Sequence, residues 1–392
     1  MRLCGLHDGR GYGCEAGAVL ALRDGAPLTG PTARLRGCSG TVVPADAFER
    51  VGTLPASPDP TTKRRLLTGR LRPVSRRLVG DVPTATVHRL TDTDWLATVG
   101  RHLYTAHDDA RVWRHRGTLA PSSGPSGVLP SAVCRHDGVV YLGEYPLGDD
   151  KPRILRSPDE GRTWETALEL PGVRHVHAVQ SDPFGDDVWL TTGDADAECH
   201  VGRLDRTGDG VTFEPVGGGS QAWRAVELAF TPDAVLWGVD CGYAESNRLY
   251  RLDRGELTRS GTDPAPTPVG ATPNSVYYAA SLPVDGDHVV AFATAVETGR
   301  DRTNPDRETT GDDLARVVVA SAQSGFTDWS VLAAFRRQPR PADRVPRLPS
   351  ANAYVYLGAD ADAGLFVNPF NTTVESGRLL RIAPDRLATV VG

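Results

Sequence analysis

Along most of the chain, apolar residues come in short runs of four to eight, alternating or fully apolar, each bounded by Gly, Asp or Pro. That is the pattern of strands joined by tight turns. The clearest stretch predicts strands over His175–Gln180, Val188–Thr192, Cys199–Leu204 and Thr212–Val216. Four more follow over Trp223–Phe230, Val235–Val239, Arg248–Leu252 and Glu256–Arg259. No segment keeps a helical period with caps. Extending this fourfold grouping divides the chain near 15–57, 65–120, 130–171, 173–217, 222–260, 275–336 and 347–391. The reading is an all-β chain, a single β-propeller domain over 1–392 with about seven four-stranded blades. The first group lacks an obvious innermost strand, so six blades plus an N-terminal extension is the alternative. Arg300–Asp313, charged and Pro-containing, reads as a surface loop, and Arg337–Arg347, with its three prolines, as a connector.

One hairpin carries a motif. Ser157-Pro158-Asp159-Glu160-Gly161-Arg162-Thr163-Trp164 matches Ser-x-Asp-x-Gly-x-Thr-Trp at every defined position. Asp159 can accept hydrogen bonds from turn amides, Gly161 can take positive φ, and Thr163 can re-enter a strand. Trp164 is large enough to wedge the hairpin against its neighbour. Degenerate copies run over Ala106–Trp113, Leu204–Phe213 and Ser321–Trp329. They recur at about 50 residues or a multiple of it, the length of one propeller blade.

Composition agrees with many turns: the chain has 42 Gly and 30 Pro in 392 residues, without a collagen period or a Gly/Ser tract. The net charge of -6 and the absence of a basic stripe argue against nucleic acid. Met1–Cys14 is polar and Gly-rich and lacks a signal pattern, and no apolar run is long enough to span a bilayer, so no membrane partner and a cytoplasmic location are expected. Cys4, Cys14, Cys38, Cys134, Cys199 and Cys241 form no Cys-x-x-Cys pair. They read as small hydrophobes, not as a zinc or redox motif. Oligomeric state is left open.

Blade topology sorts the polar residues. In a four-stranded meander the first strand starts at the face where the second strand ends, and the hairpin between third and fourth lies opposite. First-strand starts supply Arg174, His175 and His177, then Trp223 and Arg224, then Tyr277 and Tyr278, then Asn352 and Tyr354. Second-strand ends supply Glu144 and Tyr145, Asp194, Asp240, Glu297 and Asn368. All are expected at one mouth of the central channel, where acid, base, Arg and aromatic groups suit a glycan. His175 and His177 share a strand side. They read as a general base with its orienter or as two metal ligands, with Asp194 and Asp240 as candidate third ligands. A structural channel histidine is the alternative. Gly217-Gly218-Gly219 permits close backbone approach or a sharp crossover and is not a phosphate loop. Arg224 needs a carboxylate partner or an anionic ligand. Gln221 and Arg174 stand beside it as substrate-binding candidates.

The Ser157–Trp164 motif resembles the Asp box of sialidase-like (BNR) propellers. Gly143-Glu144-Tyr145, His175-x-His177, Thr192-Gly193-Asp194, Gly219-Ser220-Gln221-x-Trp223-Arg224 and Trp237-Gly238-x-Asp240 extend the likeness to a glycosyl-hydrolase-like group, over roughly 70–370. The resemblance implies a propeller that binds or processes a glycan. Sialidases proper use an Arg triad, a Tyr–Glu nucleophile pair and an Asp acid/base after a Phe/Tyr-Arg-Ile-Pro motif. Here only Leu71-Arg72-Pro73 approaches that start, with different spacing. Propeller polysaccharide lyases are similar in chemistry: His175, His177, Arg224 and one of Tyr145, Tyr277 or Tyr278 would fit. Two expectations follow. One is a hydrolase or lyase acting on a polar or anionic glycan, with a hydrolase drawing its carboxylates from Glu144, Asp194, Asp240 and Glu297. The other is a non-catalytic platform binding a glycan or protein. No cofactor is required by either, and a divalent metal is possible but unsupported.

Overall fold

A computed structural model describes residues 1–59, 71–108, 110–206, 210–257, 264–298, 310–345, 348 and 350–392. Most of the expected 300–313 loop, the end of the 337–347 connector, and Asp109 and Thr207–Asp209 of the degenerate hairpins lie outside these residues.

The chain is a seven-bladed β-propeller. Six antiparallel sheets have four strands and the seventh has five. The innermost strands are Arg2–His7, Ala85–Arg89, Val133–His136, His175–Ser181, Ala225–Phe230, Val276–Val284 and Tyr354–Asp360. They follow one another around the channel, and Tyr354–Asp360 returns to Arg2–His7 to close the ring. Blades pack face to face through apolar clusters such as Trp189, Trp223, Phe230 and Trp237 between the fourth and fifth.

The first blade does have an innermost strand, in the segment that reads as merely polar and Gly-rich. Its glycines are steric: a Cβ on Gly13 would sit 2.0 Å from the Arg2 carbonyl oxygen, and one on Gly5 would sit 2.5 Å from Tyr12 Oη. The fifth blade's outer strand is Thr267–Thr272, not Glu256–Arg259; Arg254–Leu257 is a short helix, and Thr258 and Arg259 lie outside the described residues. The seventh blade is completed from the other end of the chain. Leu380–Ile382 pairs with Ser39–Val42, which pairs with Thr32–Arg34.

The Ser157–Trp164 hairpin joins Arg153–Ser157 to Glu165–Glu169 and closes on itself. Asp159 accepts from Ser157 Oγ, Thr163 N and Thr163 Oγ1, each at 2.8 Å. Gly161 has φ +81, and Trp164 packs into the cluster between the second and third blades. The Gly217–Gly219 run serves packing and a crossover. A Cβ on Gly217 would sit 2.0 Å from the Trp223 ring, and one on Gly218 would sit 2.0 Å from His200 Nδ1.

Candidate functional site

The ends of second strands in consecutive blades deliver Tyr145, Asp194, Asp240 and Glu297 to one mouth of the channel, beside first-strand residues of the next blades. At its centre is Asp194. Arg174 Nη1 donates to Oδ2 at 2.7 Å, while Arg224 Nη2 lies 3.0 Å from Oδ1. His175 Nε2 and His177 Nε2 lie 3.2 and 3.7 Å from the same Oδ1. Burial pushes the Asp194 carboxyl up, but the His175 and His177 hydrogen bonds and the Arg224 charge outweigh it and hold it well below the usual carboxylate range. Gln221 Nε2 donates to the Asp194 carbonyl at 2.9 Å.

The histidines are locked from both sides. Nδ1 of His175 faces the Pro146 carbonyl at 3.3 Å and Nδ1 of His177 faces that of Ala225 at 3.0 Å. Carbonyls only accept, so each ring donates through Nδ1–H; Nε2 faces the Asp194 carboxylate, which also only accepts, so a hydrogen bond there requires a second proton on the ring. Burial lowers the His175 pKa. Tyr145 stacks on His175 with ring centroids 4.0 Å apart. His177 occupies a bulge, where the register slips between Val176 and Ala178.

A second group adjoins the first. Arg224 Nη2 lies 3.5 Å from Asp240 Oδ2. Asp240 Oδ1 and Arg224 Nε are buried without a hydrogen-bond partner. Tyr277 Oη donates to Glu297 Oε1 at 2.5 Å, and Ser275 Oγ donates to Oε2 at 3.1 Å. Burial, then the Asp240 charge, push the Glu297 carboxyl up to about 7. Tyr354 packs against Tyr277, rings 5.4 Å apart. A cavity of about 20 Å³, wide enough for one water, adjoins Glu297 between Asn247, Asn274 and Ser275.

Four expected site residues go elsewhere. Glu144, fully buried, accepts two bonds from the Arg153 guanidinium at 2.7 and 2.8 Å and one each from the Ala120 and Arg153 amides. It ties blades together and presents no free oxygen. Trp223 is buried on Trp237, rings 5.4 Å apart, as core and not as a sugar platform. Asn368 bonds to Leu3 N, the Met1 carbonyl and the Arg378 carbonyl, which fixes ring closure. Tyr278 shares a face with Tyr277 because of a bulge between Val276 and Tyr278, but it packs on Tyr356, rings 4.7 Å apart. Leu71-Arg72-Pro73 begins a helix over Arg72–Val79, with Arg72 paired to Asp81.

Ser275 and Glu227 escaped sequence reasoning. Glu227 accepts from the Ala279 amide at 2.8 Å, bridging the fifth and sixth inner strands, and burial pushes it up to about 8. Its one signal is an acid inside the otherwise apolar Ala225–Phe230.

His175, His177 and Asp194 offer ligand atoms within 4.8 Å of one another. They suit a dication poorly, since both Asp194 oxygens already face guanidinium groups. Among the described residues, no helix is long and apolar enough to cross a membrane.

No family model and no curated protein matches the chain. Among solved structures it is similar to the Hadza microbial sialidase Hz136, at 12% identity and TM-score 0.42, over 79% of this chain and 66% of that protein. The GH93 α-L-arabinofuranosidase of Fusarium graminearum, solved with arabinobiose, matches at 12% identity and TM-score 0.41, over 80% of this chain and 94% of that one. The SapL1 lectin, solved with α-methyl fucoside, matches at 13% identity and TM-score 0.44, over 78% and 93%. These likenesses say nothing of chemistry. What stands is the fold, a seven-bladed propeller with one polar, largely buried cluster at a mouth of its channel.

Proposed function

We propose that this propeller is a glycoside hydrolase acting on a polar or anionic glycan, with Glu297 as the proton donor and Asp240 as the partner carboxylate. One observation carries the reading. Burial and the Asp240 charge push the Glu297 carboxyl up to about 7, and the neighbouring Asp240 has an Oδ1 that is buried and unpartnered. A carboxyl group able to hold a proton beside a second carboxyl group is what glycosidic cleavage requires. Glu297 gives its proton to the glycosidic oxygen as the C–O bond breaks. Asp240 then stabilises the positive sugar ring or activates water. Tyr277 and Ser275 fix the Glu297 rotamer, and Arg224 and Arg174 supply positive charge for an anionic substituent. Lyase chemistry has less support, because each histidine nitrogen is already aimed at a carbonyl or at Asp194.

A specific observation favours a second reading, a non-catalytic glycan-binding platform: Asp194 and Asp240 are both engaged by internal arginines. The deciding experiment is a turnover screen on pooled acidic and neutral glycans, following new reducing ends and unsaturated uronate absorbance. Glu297→Gln and Asp240→Asn run alongside, with circular dichroism to show that they fold. Hydrolase action predicts reducing ends that fall roughly 10²–10⁴-fold in Glu297→Gln. Uronate absorbance would transfer the chemistry to a lyase. Glycan binding without turnover would establish the platform.

A further inference from the structure

On the same mouth face, but across the ring in the first blade, two cysteines meet. Cys4 lies on the innermost strand Arg2–His7, at a bulge where the register slips between Leu3 and Gly5. Cys14 lies on the adjacent strand Arg10–Glu15. The bulge turns Cys4 to the side that Cys14 occupies, and the two Sγ atoms are 3.9 Å apart. Arg2 Nη2 is 3.5 Å from Cys4 Sγ.

Arg2 is 5% exposed and donates to the Ala85 carbonyl. Among the described residues no carboxylate pairs with it, and its neighbours are Cys4, Cys14 and the phenols of Tyr356 and Tyr278. A buried guanidinium needs a counter-charge, and a thiolate at Cys4 is the nearest group able to provide one. A cavity of about 610 Å³, lined by Arg2, Cys14, Leu54, Ala85, Val99 and Phe370 among others, reaches Arg2 and Cys14, and the buried Cys4 Sγ lies 3.9 Å from the Cys14 sulfur.

We propose that Cys4 and Cys14 form a hydroperoxide-reactive dithiol, with Cys4 the attacking sulfur and Cys14 the resolving one. The Cys4 thiolate attacks the outer oxygen of ROOH. The O–O bond breaks, RO⁻ takes a proton and leaves as ROH, and Cys4 becomes a sulfenic acid. Cys14 Sγ then attacks the Cys4 sulfur. The hydroxide expelled combines with the Cys14 proton to leave as water, and a disulfide remains. The peroxide is reduced by the two electrons that the thiols lose, and an external dithiol restores the pair.

The surroundings favour this division of roles. The Cys14 hydrogen bond, then the Arg2 charge, lower Cys4 against the opposing effect of burial, while Cys14 is raised above the ordinary thiol value. Cys134 and Cys199, each pushed up to about 12 by burial, are built-in controls. Oxidation of Cys4 should therefore outrun theirs.

The test treats the full chain with stoichiometric hydrogen peroxide at pH 7, quenches with iodoacetamide in denaturant, and maps tryptic peptides by mass spectrometry. Expected is a dithiothreitol-reversible cross-link between the Leu3–Arg10 and Gly11–Arg23 peptides. In Cys14→Ser, dimedone should trap a sulfenic acid on Cys4. Alkylation of the untreated protein shows whether Cys4 reacts ahead of Cys134 and Cys199 without any substitution. Oxidation of Cys4 no faster than that of Cys134, or peroxide adducts that accumulate without the cross-link, overturns the proposal.

Discussion

Replacing Asp194 by Asn tests the electrostatics of the mouth directly. The substitution keeps the shape and one acceptor oxygen but removes a charge on which two guanidinium groups converge. The side chains of Asp194, Arg174 and Arg224 are 15%, 21% and 12% exposed, so solvent screens them only in part. Removing one partner of a buried pair costs about 3–5 kcal/mol. Arg224 keeps Asp240 at 3.5 Å and Arg174 can turn to water, which puts the expected loss near the lower bound. The pH dependence follows from the depressed Asp194 pKa. A carboxyl whose folded pKa lies below its unfolded value stabilises fully above the unfolded value, about 4, and loses that contribution as pH falls. Urea unfolding of both proteins between pH 7 and pH 2 should show a gap of about 3 kcal/mol that is flat down to roughly pH 4. Below that it should narrow by up to about 1.4 kcal/mol per pH unit. A gap under about 1 kcal/mol at pH 7, or one that does not narrow in acid, refutes the reasoning.

Glu297 must hold its proton to act as donor, so turnover should fall on the alkaline side with a midpoint near pH 7; a pH–rate profile flat through pH 9 contradicts that role. Glu227, raised to about 8 by burial, destabilises the fold once the unfolded chain ionises. Glu227→Gln should therefore gain a few kcal/mol in urea unfolding at pH 9 and almost nothing at pH 4. Asp159→Ala removes three hydrogen bonds from the Ser157–Trp164 hairpin and should cost about 2 kcal/mol, read as a lower thermal midpoint with the sheet spectrum retained. Gly217→Ala forces a methyl into the Trp223 ring and should cost roughly 3 kcal/mol, with an altered near-ultraviolet dichroism from the Trp223–Trp237 stack.

Strands that lie wholly in the core were legible. His175–Ser181 and Val188–Gly193 bury nearly every side chain, and their apolar runs stand out. Outer strands were legible only in part: Thr212–Gly218 stood out, whereas Thr267–Thr272 is half exposed and did not, and Thr32–Arg34 takes its place only by pairing within a sheet built from residues far along the chain. The innermost strand Arg2–His7 was hidden because close packing there demands glycines, which read as loop. At the site, topology alone gathered Arg174, His175, His177, Asp194, Arg224, Asp240, Tyr277 and Glu297. It could not tell which way a strand-end side chain turns. Glu144 and Tyr145 are neighbours, yet one closes on Arg153 and the other on His175. Bulges at His177 and at Tyr277 further shift the facing of each inner strand, and no period reports them.

The way the ring closes also sets a clock. Ser39–Val42, paired on one side with Thr32–Arg34, finds its other partner only at Leu380–Ile382. At a synthesis rate of about 5–20 residues per second, those early strands wait on the order of half a minute for the last blade to leave the ribosome. Until then their unpaired edges are open to any passing strand, including the same segment of a neighbouring nascent chain. Yield in the cell should therefore depend on how fast the final blade arrives as well as on the stability of the finished ring. Slowing translation late in the message would expose that dependence as aggregation without any change in the protein's equilibrium stability.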